Sequence, residues 1–470
     1  MSLSRMAYWK EKMSKKIKII GGGLAGMEAS YFLLKKGYEV DLFEQRPISS
    51  TGAHETNLIG ELVCSNSLKS KELTNACGLL KKEMEILGSL MIEAAKQSEV
   101  PSGNALSVDR EIFAKYITDR LLSFPNFHLY REEVTSFDDE ITLLATGPLS
   151  SEKIVKSLGE IVGNNFLSFF DASAPIVRKE SIDFTKAYFK SRFDQNDNAY
   201  INCPFTFEEY KKFVEELLAA KKAELHSFDT KYFEGCLPVE VIASRGFETL
   251  RHGPAKPFGL EKEKGHKPYA VIQLRQDNLL GDCYNIVGFQ TNLIYPEQKR
   301  VFRLIPGLEN AEFVRYGLMH RNTFIKSPSC LNTDLSFKNK NNLFVAGQLS
   351  GVEGYVESAA LGILAGISIM NRIEGKTFQI PPKNTILGAL YNYVIYANPD
   401  GFSPMNANWA LLPEVSKRNR EDAINKSIFS MTEYKMSLWQ KERRNILTIW
   451  QDKEIFLLWL YKVIKETLIS

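Results

Sequence analysis

The chain has 470 residues, of which 44% are hydrophobic and 24% charged, with a net charge of +3. This length predicts two or three domains, and the composition is that of a globular protein rather than a disordered or fibrous one. The small net charge means that an anionic partner would have to be bound by local clusters of basic residues.

The amino-terminal residues 1–16 mix Lys, Arg and Glu around no apolar centre, which argues against a secretory signal. No run of about 20 apolar residues is evident, so no membrane span is predicted. The six cysteines include no Cys-x-x-Cys pair, and their wide spacing is typical of reduced thiols in the cytoplasm. The six histidines show no metal-ligand spacing, and no metal site is expected.

The first predicted strand, 15–20, runs into a glycine-rich turn at 21–26, which a helix over 27–36 follows. Such a turn lets a pyrophosphate approach the backbone at the amino terminus of the helix. A second strand over 38–43 ends at Glu44, whose carboxylate suits a ribose hydroxyl. Together these features predict dinucleotide binding. The candidate contacts here are Gly21, Gly22, Gly23, Leu24, Ala25, Gly26, Glu44 and Arg46.

Two later segments repeat the strand-and-turn pattern. The strand at 142–147 ends in Thr146 and Gly147, and the strand at 343–347 leads through a small-residue turn into a helix over 356–366. In this order they resemble the glutathione-reductase-type FAD-binding Rossmann fold. Because no second Gly-x-Gly-x-x-Gly occurs, a nicotinamide cofactor would have to reach the flavin directly. The second turn adds as candidate contacts Gly347, Gln348, Gly351, Val352, Glu353 and Tyr355.

The sequence changes character between the two halves of this fold. An amphipathic helix over 205–223 and short extended runs at 270–274 and 285–289 predict an inserted α+β domain. Basic and aromatic residues alternate here, a pattern that suits RNA but is more often an ordinary solvated face. The predicted organisation is an α/β chain with a tail at 1–14, FAD-binding halves at 15–180 and 320–412, the insert at 181–319 and a helical extension at 413–470. The extension is expected to pack on the body, with packing on a partner as the alternative.

Three segments together resemble one family. They are 61–68 with Cys64, 233–238 with Cys236, and the turn and helix start at 347–358. The family is that of the folate- and FAD-dependent RNA (uracil-5-)-methyltransferases, TrmFO, with their ribosomal-RNA-directed relatives RlmFO. The resemblance covers 15 to about 412 and departs from the family pattern at Met27 and at Glu55, where a second histidine is common.

The resemblance implies an enzyme that moves a one-carbon unit from 5,10-methylenetetrahydrofolate to uracil C5, with FAD as reductant and NAD(P)H as electron source. It also implies catalytic roles for Cys236 and Cys64. Uracil C5 becomes nucleophilic once a thiolate adds at C6, and Cys236 is favoured for that addition. The expected substrate contacts are Asn66, Arg275, His320 and Arg321, with Arg275 and Arg321 on either the folate glutamate or an RNA phosphate.

The RNA target is left open between the transfer-RNA T-loop and large-subunit ribosomal RNA, as is the oligomeric state. Two other functions fit the residues alone. One is a flavin oxidoreductase acting on a small molecule, and the other is a non-catalytic protein that binds FAD and RNA. A wobble-uridine modification protein of similar flavin fold fits the Cys64 and Cys236 segments poorly.

Overall fold

The computed structural model describes residues 16–51, 53–163, 165–192, 199–223, 237–262 and 267–447, with the backbone alone over 166–172, 319–321 and 440–447. The predicted tail at 1–14 and the segment that carries Cys236 lie outside these ranges. In chain order the strands are β1 Lys16–Ile20, β2 Glu39–Phe43, β3 Ser67–Ser70, β4 Glu99–Val100, β5 Ala105–Val108, β6 Phe127–Tyr130, β7 Thr142–Leu144, β8 Phe166–Ala172, β9 Ile176–Arg178, β10 Tyr188–Phe189, β11 Tyr200–Phe205, β12 Ala270–Gln276, β13 Cys283–Ile286, β14 Phe313–Arg315, β15 Met319–Ile325, β16 Ser336–Phe337 and β17 Lys340–Val345.

Helices cover both the first sheet and the insert. They are α1 Leu24–Lys35, α2 Ala76–Leu87, α3 Leu90–Gln97, α4 Arg110–Leu122, α5 Glu152–Val162, α6 Phe207–Ala219, α7 Val239–Ser244, α8 Thr249–His252, α9 Tyr295–Phe302, α10 Ser327–Cys330, α11 Tyr355–Ile373, α12 Ile386–Tyr396 and α13 Arg420–Leu447. The predicted helix at 205–223 is shorter than expected, since Thr206 forms a capping box with Glu209 and fixes its start. The helix predicted at 27–36 begins earlier, directly after Gly23.

A six-stranded sheet forms the first layer, in the order β16-β17-β7-β1-β2-β6. All of its pairs are parallel except β16 with β17. The register aligns Ile20 of β1 with Phe43 of β2 and Leu144 of β7, and Leu144 with Val345 of β17. The turns that follow these four strands therefore emerge at one edge, where parallel α/β sheets bind ligands.

Helices α1 and α11 cross on this sheet at glycines. A Cβ placed on Gly362 would lie 2.3 Å from the carbonyl oxygen of Ala25, and one on Gly366 would lie 3.4 Å from Cα of Ala29. The backbones therefore pack directly on each other. Helix α11 is long and apolar enough to cross a membrane by length and composition, although no such segment was predicted. However, 83% of its most apolar 18 residues are buried inside the fold. It is the central helix of the core.

A second six-stranded sheet, entirely antiparallel, has the order β10-β11-β12-β13-β9-β14 and spans residues 176–315. It encloses a hydrophobic core of its own with helices α6 to α9, separate from the core of the first sheet. The antiparallel pair β8 and β15 connects the two regions at the entry to and exit from the insert. A small three-stranded sheet, β3-β5-β4, lies on the first region.

The carboxyl-terminal helix α13 packs on the first region, whereas most of the residues expected to do so lie outside the described part of the chain. Ile424, Met431 and Tyr434 are buried in its core, and the ammonium group of Lys36 lies 3.2 Å from the centroid of the Trp439 ring. Buried Glu83 of α2 accepts hydrogen bonds from the first backbone N–H groups of α12 and from Ser427 of α13. One carboxylate thus joins three helices.

Candidate active site

The glycine-rich turn lines an open cavity at the carboxyl edge of the parallel sheet. A Cβ on Gly26 would lie 2.0 Å from the carbonyl oxygen of Gly21, and a Cβ on Gly21 would lie 2.5 Å from that of Ala145. At Gly23, by contrast, an added Cβ would meet no atom within 4 Å. Packing thus requires glycine at 21 and 26, while Gly23 leaves open space in front of the amino terminus of α1.

Glu44 faces the same cavity from the end of β2. Its Oε2 accepts a 2.9 Å hydrogen bond from the backbone N–H of Gly22, and its Oε1 accepts a 2.9 Å bond from Nε of Arg46. Burial acts to raise the pKa of Glu44, but the hydrogen bond and charge of Arg46 outweigh it and lower that pKa. The carboxylate is ionised and keeps acceptor capacity for a sugar hydroxyl.

Arg46 is almost fully buried and extends this network away from the cavity. Its Nη1 donates to Oε2 of Glu61 at 2.7 Å and to the carbonyl oxygen of Thr56 at 3.1 Å. Glu61 in turn accepts from the backbone of Glu55 and Thr56. Arg46 therefore holds the loop that precedes Cys64 against the glycine-rich turn.

Of the other predicted cofactor contacts, some line the cavity and the rest pack the two glycine turns against each other. Thr146 lines the cavity, with its hydroxyl 2.5 Å from that of Ser150, and Gly147 beside it adopts a positive φ of 68°. Leu24 and Ala25 are buried in the first turn of α1. A Cβ on Gly347 would lie 2.9 Å from Cβ of Ala25, so the second turn packs against the first.

Within the second turn, some residues hold the loop. Val352 is fully buried, and Glu353 donates its N–H to the carbonyl oxygen of Met405 at 2.9 Å. The side chain of Gln348 donates to the Glu353 carboxylate. Gly351 adopts a φ of 90° beside the Phe402 ring, where a side chain would collide. Tyr355, at the start of α11, is the member of this group that reaches Cys64.

A second cluster surrounds Cys64, between the parallel sheet and the insert. The backbone N–H groups of Cys64 and Ser65 donate to the Tyr355 hydroxyl at 2.7 and 3.2 Å. Burial raises the pKa of Tyr355, so the phenol stays neutral. The thiol of Cys64 is partly exposed and belongs to no disulfide.

The insert contributes Arg275 to this cluster from strand β12. Its Nε donates to Oδ1 of Asn66 at 3.2 Å, and its Nη2 donates to the Ser65 hydroxyl at 2.8 Å. Asn66 is fully buried, and its amide donates back to the carbonyl oxygens of Val108 and Gln276. The predicted residues Cys64, Asn66, Arg275 and Tyr355 are therefore brought together, although 61–68, 275 and 355 are far apart in the sequence.

Two groups at this site escaped the sequence analysis. Nη2 of Arg110 pairs with Oδ1 of Asp277 at 2.9 Å, while its Nε and Nη1 are buried without a hydrogen-bond partner among the described residues. His54 lines the cavity beside Thr51, and burial together with the charge of Arg46 lowers its pKa to about 4. A signal for Arg110 existed, because a cation in the first turn of a helix opposes the helix dipole.

The remaining predicted residues are less fully described. Cys236 lies outside the described residues, and His320 and Arg321 are described by their backbone, which pairs with β8. Glu55, the departure from the family pattern, pairs through Oε1 with Nε of Arg315 at 3.1 Å. Glu39, Asp41 and His128 could together hold a metal ion, but the ammonium of Lys16 already lies 3.3 Å from Glu39 and 3.7 Å from Asp41.

Comparison with known proteins places this geometry in a family. The family model "Glucose inhibited division protein A" matches residues 16–377. The structure of Aquifex aeolicus GidA in its form II crystal superposes with a TM-score of 0.67 at 17% identity, covering 96% of this chain and 76% of that one. This likeness confirms the predicted fold class, a GidA-like FAD-binding fold with an inserted antiparallel sheet.

Curated relatives are much more similar in sequence. The methylenetetrahydrofolate–tRNA-(uracil-5-)-methyltransferase TrmFO of Listeria monocytogenes is 50% identical over 410 residues, which is 87% of this chain and 94% of the relative. The enzyme of the same name from Staphylococcus carnosus is 49% identical over 431 residues, 90% of this chain and 99% of the relative. The chain therefore belongs to the TrmFO family of folate-dependent RNA (uracil-5-)-methyltransferases, within the wider GidA group.

Proposed function

We propose that this protein methylates C5 of a uridine in RNA, with 5,10-methylenetetrahydrofolate as one-carbon donor, FAD as reductant and NAD(P)H as electron source. Relatives that are about 50% identical over nearly the whole chain are named as folate-dependent methyltransferases of uracil C5 in transfer RNA. One observation carries the proposal. The backbone N–H of Cys64 donates to the hydroxyl of Tyr355 in the second flavin turn, and Arg275 of the insert donates to the hydroxyl of the next residue, Ser65. The loop that carries the Cys64 thiol is thus held where a flavin and a substrate would meet.

The residues at the edge of the parallel sheet fit FAD. Gly23 leaves room for a pyrophosphate in front of an uncapped helix terminus, and ionised Glu44 suits the ribose hydroxyls. The turns at 146–147 and 347–355 open on the same edge, where the flavin ring would be held. When bound, FAD supplies the reducing equivalents that convert a methylene group into a methyl group.

The protein's own groups would activate the pyrimidine. Addition of a thiolate at C6 makes C5 nucleophilic, and we assign this addition to Cys236, with Cys64 assisting removal of the C5 proton. The guanidinium groups of Arg110 and Arg275 both interact electrostatically with Cys64. Arg275 also orients Asn66 and Ser65 through its two hydrogen bonds.

The preferred substrate in this proposal is the T-loop of transfer RNA, because the relatives are named for transfer RNA. Large-subunit ribosomal RNA is the second candidate, since the name of the relatives does not fix the target of this chain. A cytoplasmic location accords with the five described cysteines, none of which forms a disulfide with another described residue.

The decisive experiment supplies purified protein with methylenetetrahydrofolate and NAD(P)H, together with unmodified transfer RNA or large-subunit ribosomal RNA. Mass spectrometry of the digested RNA should show 5-methyluridine in transfer RNA and none in ribosomal RNA. The variant Cys236→Ala should keep its FAD and lose methyl transfer, and Cys203→Ala, which removes a thiol buried in the core of the insert, serves as the control.

The other outcomes identify the alternatives. Methylation of ribosomal RNA alone would show that ribosomal RNA is the substrate. Full turnover by Cys236→Ala would remove this thiol from the mechanism. Binding of FAD and RNA without transfer of carbon would favour a non-catalytic protein. Flavin turnover that needs neither folate nor RNA would favour an oxidoreductase of small molecules.

A further inference from the structure

Three aromatic rings form a continuous stack on the surface of the insert. The rings of Phe313 and Tyr316 lie 5.2 Å apart at 14°, and those of Tyr316 and Tyr295 lie 5.0 Å apart at 18°. Phe313 packs against the core of the insert, whereas Tyr295 at the other end is 51% exposed. The arrangement is therefore a rigid column of rings that ends at a solvent-exposed aromatic face.

One side of this aromatic stack leads to Cys64. Arg315, the neighbour of Tyr316, donates from Nη2 to the carbonyl oxygens of Ala53 and Val63 at 2.8 and 2.9 Å. Val63 directly precedes Cys64. The stack is thus attached, through one side chain, to the loop that carries the thiol.

The other side leads to the two described ends of the chain that flank residues 224–236. The N–H of Ala223, the last described residue before that segment, donates to Asn292 at 2.8 Å. The N–H of Val239, two residues after the description resumes, donates to Gln290 at 2.7 Å. Both flanks are therefore bonded to residues 290–292, directly before Tyr295.

Positive charge accompanies the exposed end of the stack. The carbonyl oxygen of Lys221 accepts a hydrogen bond from the N–H of Ile294, and the backbone of Lys222 forms an antiparallel β-bridge with Leu293. Both lysine side chains are exposed. The nearby carboxylate of Glu297 is paired with Arg300 at 2.7 Å. An exposed aromatic face, with two exposed lysines on the adjoining backbone, has the composition that binds an unstacked base together with its phosphate.

We propose that the aromatic stack is a binding subsite for an unstacked RNA base that flanks the target uridine, with Tyr295 as the stacking face and Lys221 and Lys222 on the adjoining phosphates. The inference rests on the proposed function, because it takes RNA as the substrate. Its role is to splay the RNA next to the site, so that the target uracil can enter between the flavin edge and the insert. The occupant is RNA rather than folate, since the phosphate-binding charges lie at the exposed end of the column.

The test uses full-length protein and a transfer-RNA T-arm stem–loop that carries 2-aminopurine beside the target uridine. Binding should quench the probe when it stacks on Tyr295 in the wild-type protein. Tyr295→Ala should abolish this quenching and weaken RNA binding about tenfold, as expected for loss of one stacked base. Tyr295→Phe should keep both, and Phe429→Ala, which removes an exposed ring from α13, should change neither.

The readouts separate this inference from the proposed function. RNA binding and probe quenching are measured without turnover, so they stand even if no methyl group is transferred. For an active protein, the KM for RNA should rise in Tyr295→Ala while the KM for methylenetetrahydrofolate and the FAD content stay at wild-type values. Unchanged RNA affinity in Tyr295→Ala, or a rise in the folate KM alone, would overturn the proposal.

Discussion

The two halves of the site are built in different ways. The parallel-sheet region presents mainly backbone groups, at turns where Gly21 and Gly26 admit no side chain. The insert presents side chains, with Arg275 and Arg315 reaching across to the loop at 53–66. Each region has its own hydrophobic core. The comparison indicates that cofactor binding depends on local backbone geometry, whereas substrate positioning depends on contacts between distant segments.

The largest effects should come from the glycine-rich turn. Gly26→Ala places a Cβ 2.0 Å from the carbonyl oxygen of Gly21, so the turn must shift, at a cost of about 3 kcal/mol. We expect a lower melting temperature and no bound flavin, measured by thermal unfolding and by the flavin absorbance of the purified protein.

Gly23→Ala is the matched variant, because its Cβ meets no atom within 4 Å. The apoprotein should melt like the wild type, and the Kd for FAD should rise because the methyl group fills the space assigned to the pyrophosphate. Wild-type affinity for FAD in Gly23→Ala would argue against that assignment.

Side chains of the insert should have intermediate effects. Arg275→Gln removes charge-assisted hydrogen bonds to buried Asn66 and to Ser65, which we expect to cost about 2 kcal/mol of unfolding free energy. The kcat for methyl transfer should fall more than the KM values rise, and FAD should stay bound, as measured by steady-state kinetics and urea unfolding. Arg178→Gln, in the same sheet but half-exposed, is the control. Loss of FAD in Arg275→Gln would contradict the division of roles between the regions.

The smallest effect is expected at Glu55. The Glu55 side chain is largely exposed, so solvent screens its ion pair with Arg315 and Glu55→Gln should change stability by about 0.5 kcal/mol or less. Thermal unfolding measures the change, and high salt should mask it. A larger loss would mean that Glu55 holds the loop before Cys64 in a way that its exposure does not suggest.

The same division explains what the sequence could predict. The strand, glycine turn and Glu44 were predictable because the backbone requirements of a phosphate-binding turn act within a short stretch of chain. The partners of Arg275 and Arg46 were not, since Asn66 and Glu61 reach them only through the tertiary fold. The expected role of Arg275 on an anionic ligand stays a prediction, and the structure adds that its guanidinium donates to Asn66 and Ser65. The helix predicted over 356–366 continues to Ile373 in α11, and its glycines Gly362 and Gly366 allow its contact with α1.

The crossing of α1 and α11 also bears on how the protein is made. The strand β17 and the helix α11 complete a sheet and a helix pair that begin at β1 and α1, at the other end of the chain. A ribosome must synthesise the whole insert before these partners exist. Until then the first region exposes apolar surface, whereas the insert can already fold around its own core. Nascent chains released before α11 emerges would be targets for chaperones and proteases, and the cofactor can bind only a nearly finished polypeptide.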